Sequence, residues 1–342
     1  MALSYQQVFL KPRYSPYSSR SEISLATQFG PQSFRLPVVP ANMKCTIDTN
    51  LARWMSQEGY FYIMHRFGTK DTSITPKDYW QDNYEFIQLA NKEGWKTISI
   101  SVGVQEEDKE LLLKIRSEGL RVDYITIDIA HAHSILMEKM IAAINRIYAR
   151  TTNKPFIIAG NVATEYGVMD LEQWGADAIK VGIAQGNACT TYGRTGFGVP
   201  MFSCMAECRD VATKPLIADG GIKTHGDFAK AIVGGGDMVM AGSFFASSID
   251  SPAPDIREKK VVFNAGTSVL ETVEGDVVKK IYFGSASSQN KHNNKHVEGR
   301  TVELDCDGIT YAEKLINIEE HLQSAVSYAG GNLRETTYGT FN

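Results

Sequence analysis

A cysteine, Cys189, ends a glycine-containing loop that directly follows a short apolar run of the sequence. Such a loop, here residues 182–191, can hold a thiol against a bound ligand while its backbone N–H and carbonyl groups face the same cavity. Free cysteine is often only a small buried hydrophobe. Here, however, two threonines and the glycine-rich stretch 193–198 follow Cys189 in place of apolar neighbours. We therefore interpret Cys189 as a nucleophile.

Chemically distinctive residues also follow the other apolar runs of the chain. Besides the Cys189 loop they are Asn42, His65-Arg66, Asp128, Gly160-Asn161, Asp219-Gly220-Gly221 and Gly242-Ser243. Glycine and asparagine on their own often only make turns. In a (β/α) barrel, however, catalytic groups gather at the carboxyl ends of the strands and in the loops that follow them. This repeated placement favours a single site at one rim.

Two of these glycine motifs follow the seventh and eighth apolar runs. Barrels frequently bind phosphate at that place through backbone N–H groups and a short helix. Glycine at Gly220, Gly221 and Gly242 would let a phosphate approach the backbone closely. Asp219 is unsuited to phosphate and is better placed to accept hydrogen bonds from sugar hydroxyls. A phosphate-binding site near a thiol predicts a phosphorylated substrate that the sulfur attacks.

Eight short apolar runs rich in Val and Ile predict the strands that position these residues. They are continuous rather than alternating, as expected of parallel strands buried on both faces. The runs are 36–41, 60–64, 97–102, 124–129, 156–159, 178–182, 216–218 and 238–241, and the helical stretches between them are 48–58, 76–93, 106–117, 134–150, 164–174 and 225–233. The alternation predicts an α/β fold, a (β/α)8 TIM barrel. An open doubly wound sheet is the alternative, but no G-x-G-x-x-G fingerprint follows Ala41.

The segment 250–300 departs from this repeat. It contains a strand-like pair, 259–263 and 277–282, around the turn Glu274-Gly275-Asp276, and then a polar stretch with little apolar content. Such a segment after the eighth strand predicts a mobile flap that excludes water during chemistry. A helix is predicted to resume over 311–329. We therefore expect one barrel domain over residues 1–342, with a hairpin and catalytic flap at 250–300.

The composition limits the class of protein. A chain of 342 residues with 43% hydrophobic and 22% charged residues can bury a large core and is neither disordered nor fibrous in type. The net charge of -4 gives no basic field for nucleic acid or for an anionic membrane. The five cysteines are an odd number without the spacing of a disulfide framework. With no signal-like start and no long apolar run, these features predict a cytoplasmic protein.

The motifs around the reactive centre resemble those of one enzyme family. Together with the loop ending in Cys189-Thr190-Thr191, the motifs Pro40-Ala-Asn-Met43, Ala159-Gly-Asn-Val162, Asp219-Gly-Gly221 and Val297-Glu298-Gly299 are similar, in order, to the IMP dehydrogenase and GMP reductase family. The resemblance extends from about residue 18 to residue 331 and implies a phosphate-binding barrel that forms homotetramers. The chain has no room for the regulatory domains that IMP dehydrogenases usually carry, and no Arg-Tyr pair in the flap. It is similar instead to the compact GMP reductases.

The resemblance implies NADPH-dependent reductive deamination of GMP to IMP and ammonia, a step of purine nucleotide interconversion. The Cys189 thiolate would attack carbon 2 of the guanine ring and form a covalent thioimidate. Thr191 and Glu298 would bring a proton to the departing amine. Two alternatives remain open: an IMP dehydrogenase that lacks the regulatory insertion, and a catalytically inactive nucleotide-binding barrel.

The resemblance also implies the binding residues. For the nucleotide they are Asp219, Gly220, Gly221, Gly242, Ser243, Gly284, Ser285 and Ala286, with Lys295 of the flap as a candidate for the phosphate; for NADPH they are Ser19, Arg20, Arg66, Asp128, Ile129, Ala130, His131, Asn161, Gly182, Ser327 and Gly330. The arginines would favour the 2′-phosphate. Backbone carbonyls of Ala184, Gly186 and Cys189 would coordinate a monovalent cation, potassium rather than another ion. Family loops usually carry glycine and proline where Ala184 and Gln185 stand here.

Overall fold

The computed structural model describes residues 2–67, 80–264, 269–284 and 299–341. Within these ranges the strands are β1 (Val8–Leu10), β2 (Thr27–Phe29), β3 (Gln32–Phe34), β4 (Val38–Pro40), β5 (Ser99–Val102), β6 (Tyr124–Asp128), β7 (Phe156–Val162), β8 (Ala178–Val181), β9 (Leu216–Asp219), β10 (Met238–Ala241), β11 (Asp255–Asn264), β12 (Val269–Phe283), β13 (Thr301–Asp305) and β14 (Tyr338–Thr340). Seven of them form one parallel sheet in the order β4, β10, β9, β8, β7, β6 and β5. This curved sheet is the wall of the predicted TIM barrel.

The eighth place in the wall belongs to the apolar run 60–64. This run was predicted to be a strand, but it is an extended segment that pairs only through Met64, opposite Ile100 of β5. The amide of Met64 donates to Ser99 O at 3.1 Å, and the amide of Ser101 donates to Met64 O at 2.9 Å. The segment therefore lies beside β5, where the barrel requires it, without a continuous ladder.

The inside of the barrel is filled by apolar side chains and is closed at the amino ends of the strands by the hairpin β2–β3. Phe29 of this hairpin packs on Phe61 and Tyr124, with ring centroids 5.2 Å and 6.3 Å away. The Tyr124 hydroxyl donates to Phe29 O at 2.7 Å. The two-residue turn of the hairpin needs a glycine, because Gly30 has a φ of +59° and lies against the Phe156 ring. The opposite end of the barrel stays open.

The longer helices of the described residues pack on the outside of the sheet, and two short ones lie in the loops at its open end. They are α1 (Thr49–Glu58), α2 (Gln81–Lys92), α3 (Glu106–Ser117), α4 (Ile135–Ile147), α5 (Glu165–Trp174), α6 (Thr191–Thr195), α7 (Met201–Val211), α8 (His225–Val233), α9 (Ser243–Ala246) and α10 (Tyr311–Tyr328). In α4 the buried side chains are Met137, Met140, Ile141 and Ile144, the spacing of one helix face. The predictions for α3 and α8 are confirmed to the residue. The helix α7 and the short helices α6 and α9 were not among the predicted helices.

After β10 the chain forms a three-stranded antiparallel sheet of β11, β12 and β13. Both predicted strands are confirmed as parts of β11 and β12, but residues 259–263 lie opposite 270–274 and not opposite 277–282. The predicted turn is wrong, because Glu274-Gly275-Asp276 lies inside β12. The physical reason is cross-strand charge pairing: Lys260 of β11 bonds Asp276 at 2.8 Å, which favours a continuous extended pair. At the root of the sheet, the buried Lys280 bonds Asp255 at 2.7 Å and Ile249 O at 2.9 Å.

Candidate active site

The Cys189 loop lies at the open end of the barrel, directly after β8. Its backbone turns at Ala184, whose φ of +65° is unusual for a residue other than glycine. The amide of Cys189 donates to Gly186 O at 3.0 Å, which closes the loop. The Cys189 side chain is half-buried, and its thiol donates to Thr191 Oγ1 at 3.2 Å. The structure therefore places the predicted nucleophile in hydrogen-bond contact with the predicted proton-transfer threonine.

The two ends of the predicted flap reach this loop. Cys189 pairs with Gly299 in an antiparallel bridge, and the amide of Arg300 donates to Ala188 O at 2.9 Å. Gly284, at the other end of the flap, lies beside both Ala188 and Gly299. Four predicted site residues, Ser285, Ala286, Lys295 and Glu298, lie outside the described residues. Glu298 immediately precedes the glycine that pairs with the nucleophile.

The loop after β9 packs against the Cys189 loop. The amide of Gly221 donates to Gln185 O at 3.2 Å. Gly182 has a φ of +137°, and a side chain there would collide with Asp219 O. Glycine is therefore required for the two loops to approach this closely. The structure brings the predicted nucleophile loop together with Asp219, Gly220 and Gly221.

Gly242 and Ser243 follow β10, and Ser243 begins the short helix α9. The place of a Gly242 side chain is taken by the hydroxyl of Tyr282, a buried residue of β12. Burial raises the pKa of Tyr282, and the nearby Cys45 and Asp219 raise it further. The phenol therefore stays neutral beside the predicted phosphate loop.

A buried lysine, Lys180, joins two carboxylates beneath the mouth of the barrel. Its Nζ lies 2.8 Å from Asp128 Oδ1 and 2.8 Å from Asp219 Oδ2. Burial alone would lower the pKa of Lys180, but the two carboxylates more than offset burial and raise it. Burial alone would raise the pKa of Asp128, but Lys180, with Arg66 nearby, holds it below its ordinary value. The lysine is therefore a fixed cation.

Asn161 completes this network. Its Nδ2 donates to Asp219 Oδ2 at 2.8 Å and to Gly182 O at 2.6 Å. Within the part of the chain that the structure describes, Asn161 Oδ1 and Thr190 Oγ1 are buried polar atoms with no hydrogen-bond partner. Such atoms are costly unless a ligand or water satisfies them. Both lie at the open end of the barrel, so the mouth is built to receive polar groups.

Comparison with known proteins identifies the family. A sequence model described as the IMP dehydrogenase / GMP reductase domain matches residues 2–336. A relative named GMP reductase from Paracidovorax citrulli (strain AAC00-1) is 41% identical over 340 residues, which cover 98% of this chain and 94% of the relative. A GMP reductase of Staphylococcus carnosus (strain TM300) is 42% identical over 341 residues, with the same coverage of both chains. The chain belongs to the IMP dehydrogenase / GMP reductase family.

Membership of the IMP dehydrogenase / GMP reductase family confirms the resemblance seen in the motifs, the TIM-barrel fold and the prediction of an oxidoreductase. It agrees with the geometry at the mouth, where family motifs that are far apart in sequence meet around Cys189. Over the residues that the structure describes, none of the helices has the length and apolar character needed to cross a membrane. All five cysteines are free thiols.

The predicted cofactor residues fall into two groups. One group lies at the mouth, where the Asn161 amide donates to Ile129 O at 3.0 Å and where Ala130 and His131 are exposed; its members are Arg66, Asp128, Ile129, Ala130, His131, Asn161 and Gly182. Ser19, Arg20, Ser327 and Gly330 lie at the far end of α10, where Arg20 bonds Ser324 at 3.0 Å and Ser327 contacts Ser15 at 2.8 Å. The 18-residue helix α10 begins near the mouth and is about 27 Å long. One chain does not bring the two groups together.

The metal prediction concerned backbone carbonyls of the Cys189 loop. Gly186 O already accepts the Cys189 amide, and Ile183 O accepts Gln185 Nε2 at 3.3 Å. Each carbonyl keeps a second lone pair, and such hard oxygen donors fit an alkali cation. Among the described residues, no group of three or more His, Cys, Asp or Glu side chains is placed to hold a metal. His131 and His133, in the loop that follows β6, have ring centroids 6.4 Å apart.

Sequence reasoning missed Lys180 and Tyr282. Lys180 stands within the apolar run 178–182, and a charged residue inside a strand that is buried on both faces is itself a signal, since lysine is almost never fully buried without partners. Tyr282 gave no comparable signal, because tyrosine is common in strands. Its contact with Gly242 depends on the pairing of distant segments.

Proposed function

We propose that this protein reduces GMP to IMP and ammonia with NADPH, as a GMP reductase of purine nucleotide interconversion. The observation that carries the proposal is the contact between the Cys189 thiol and Thr191 Oγ1 at 3.2 Å, at the mouth of the barrel and next to Gly299. The relatives named GMP reductase cover almost the whole chain. We infer that residues 1–342 form one catalytic unit, in which 250–300 supply the flap.

The first half of the reaction would take place at Cys189. Its thiolate adds to carbon 2 of guanine, and the 2-amino group leaves as ammonia after it gains a proton, which yields the covalent thioimidate. A neutral amine is a far better leaving group than an amide anion, so a proton donor is needed beside the nucleophile. Thr191 supplies the hydroxyl, and Glu298, next to Gly299, would exchange the proton with it.

The nucleotide would be held by the loops that surround the Cys189 loop. Asp219 uses Oδ2 for its contacts with Lys180 and Asn161, which leaves Oδ1 to accept from the ribose hydroxyls. Gly220, Gly221, Gly242 and Ser243 would bind the phosphate through their backbone N–H groups, with Lys295 added from the flap. Gly284, Ser285 and Ala286 would contact the base, since Gly284 lies beside the cysteine loop.

NADPH fits the group of predicted residues at the mouth. When bound, it would supply the hydride that replaces the amino group at carbon 2. Asp128 offers a carboxylate for ribose hydroxyls, Asn161 offers an unsatisfied buried oxygen for an amide, and Arg66 offers a cation for phosphate. Ile129, Ala130, His131 and Gly182 would line the same cleft.

The second group of cofactor residues would act from a neighbouring subunit. Ser19, Arg20, Ser327 and Gly330 lie at the end of α10 remote from the mouth, so they reach a cofactor there only if another copy brings them. We therefore propose a homotetramer in which subunits share the cofactor site. We also propose that a potassium ion binds the backbone carbonyls of Ala184, Gly186 and Cys189. The five free thiols support the further proposal of a cytoplasmic location.

The test is a spectrophotometric assay with the purified protein. GMP with NADPH should give oxidation of NADPH together with equal amounts of IMP and ammonia. Reduction of NAD that depends on IMP, without the first reaction, would show an IMP dehydrogenase instead. Binding of GMP without turnover of either pair would show an inactive nucleotide-binding barrel. Either of the last two outcomes contradicts the proposal.

A further inference from the structure

Lys180 occupies an unusual place for a charged side chain. It lies in β8 among apolar neighbours, and its side chain is only 3% exposed. A buried ammonium is costly unless partners of opposite charge accept its protons. Here the partners are Asp128 and Asp219, which belong to the proposed cofactor site and the proposed substrate site respectively. One buried nitrogen therefore contacts both sites.

The register of the sheet explains how the lysine reaches Asp128. Asp128 of β6 pairs with Gly160 of β7, and Gly160 pairs with Lys180 of β8, so the three residues stand at one level of the barrel. Asp128 is thus two strands away, about 10 Å at ordinary strand spacing. The lysine side chain crosses β7 at Gly160, where a side chain would collide with Lys180 Cβ. The missing side chain at residue 160 leaves the path open.

On its other side the lysine neighbours β9, which ends at Asp219. Lys180 Nζ and Asn161 Nδ2 both bond the same atom, Asp219 Oδ2, each at 2.8 Å. These two contacts at Oδ2 fix the orientation of the whole carboxylate, and therefore the direction in which Oδ1 points. The same lysine fixes Asp128 through its Oδ1. A movement of the nitrogen would turn both carboxylates.

The charges favour the same interpretation. Two carboxylates that share one nitrogen lie within about 6 Å of each other, a distance at which like charges repel strongly in a buried site. Lys180 cancels this repulsion, and Arg66 adds positive charge on the Asp128 side. Without the lysine, one of the carboxylates would take up a proton or turn away.

We propose that Lys180 is a positioning residue that serves both ligands at once, by holding Asp219 toward the ribose of GMP and Asp128 toward the nicotinamide half of the cofactor. The proposal rests on the proposed function, which assigns those ligands. It adds that the two sites share a single support. Loss of the lysine should therefore weaken the binding of GMP and of NADPH together, whereas loss of either carboxylate should weaken mainly one.

The test compares Lys180→Met with Asp128→Asn and Asp219→Asn in steady-state assays of the full protein. In Lys180→Met we expect the KM for GMP and the KM for NADPH each to rise about tenfold or more, as when one partner of a buried charge pair is removed. Asp219→Asn should raise chiefly the KM for GMP, and Asp128→Asn chiefly that for NADPH. An unchanged KM for either ligand in Lys180→Met overturns the proposal.

The pH profile gives a second measurement, which a general loss of stability would not reproduce. Lys180 holds the pKa of Asp128 below its ordinary value, so removal of the Lys180 charge raises that pKa and the ionised form of Asp128 is reached only at higher pH. The acidic limb of kcat/KM should therefore move to higher pH in Lys180→Met. Arg209→Met is the matched control, because Arg209 also bonds a carboxylate, Asp237, at 3.0 Å, but at the closed end of the barrel. It should leave both KM values and the pH profile unchanged.

The outcomes separate this proposal from the proposed function. If the wild-type protein does not oxidise NADPH with GMP, the proposed function fails before any variant is compared. If the wild type is active and Lys180→Met has wild-type KM values and pH profile, only the role of Lys180 fails. Should Lys180→Met not fold, the charge-balanced double variant K180M/D128N replaces it. A KM for GMP above that of Asp128→Asn alone then supports the proposal, and an equal KM overturns it.

Discussion

Replacement of Gly160 by alanine is a sharp test of the barrel interior. An added methyl group at residue 160 would lie 2.7 Å from Lys180 O and would collide with Lys180 Cβ. Ordinary contacts between such atoms are about 3.5–4.0 Å, so β7 and β8 would have to separate by about 1 Å. Neither atom is the end of a flexible side chain. The strain must therefore move the backbone of β8, and Lys180 with it.

The size of the effect follows from this displacement. Overpacking of a tight interior costs about 1–3 kcal/mol of stability, and the upper part of the range applies because the backbone must move. A misplacement of about 1 Å in an active site can cost a factor of about 100 in rate, which corresponds to about 2.7 kcal/mol. We expect Gly160→Ala to lower the Tm, and to lower kcat/KM for GMP about 100-fold.

The assay is GMP-dependent oxidation of NADPH, with Tm measured on the same preparation. Gly226→Ala is the control, because a methyl group at this residue of α8 would meet its nearest neighbour, Thr224 Oγ1, at 3.8 Å. The control should keep its kcat/KM and be as stable as the wild type or up to about 1 kcal/mol more stable. Gly160→Ala with the Tm and kcat/KM of this control would refute the close passage of Lys180 across β7.

Three further predictions concern the site. Cys189→Ala should abolish turnover, and mass spectrometry should no longer detect a nucleotide linked to sulfur, while calorimetry still detects GMP binding. Substantial residual turnover would show that Cys189 is not the nucleophile. Glu298→Gln should slow ammonia release far more than it weakens GMP binding, and an unchanged rate would exclude Glu298 from the proton transfer. Burial, with Lys44 nearby, lowers the pKa of His65 to about 4. As the pH falls from 6.5 to 4, the unfolded chain takes up a proton at this residue before the folded chain does, so the free energy of unfolding falls by about 3 kcal/mol. In urea titrations, His65→Gln should flatten this dependence, and an equally steep decline in the variant would contradict it.

The sequence predicted the barrel well because its strands are buried on both faces. A continuous apolar run such as Met238–Ala241 carries its own signal, and that strand was predicted to the residue. Elements whose formation depends on distant partners were not predicted. The hairpin β2–β3 forms because Phe29 and Phe34 close the barrel from below, and its own sequence gave no indication of that role. The flap turn was predicted at Glu274-Gly275-Asp276 because such a tripeptide is typical of turns. The ion pairs of Lys260 with Glu258 and Asp276 instead favour an extended strand at this place.

The candidate site shows the same division. Motif order along the chain was enough to place Cys189, Asp219 and Gly242 at one rim, since each follows a strand of a parallel barrel. The contacts between motifs could not be predicted, because they depend on register. Lys180 bonds Asp128 only because the pairing puts both level with Gly160. The separation of Arg20 from the mouth likewise depends on the direction of α10, which the sequence does not fix.

The position of Lys180 between two sites has a consequence for how the protein tolerates change. A substitution that moves β7 or β8 by a small amount acts on Asp128 and Asp219 through one nitrogen, so its effects on the two ligands cannot be independent. The Cys189 loop leaves the same strand that carries Lys180, only a few residues later. The nucleophile and the support of both carboxylates therefore share one strand. The proposed reaction brings GMP and NADPH together at carbon 2, so it depends on that strand staying fixed.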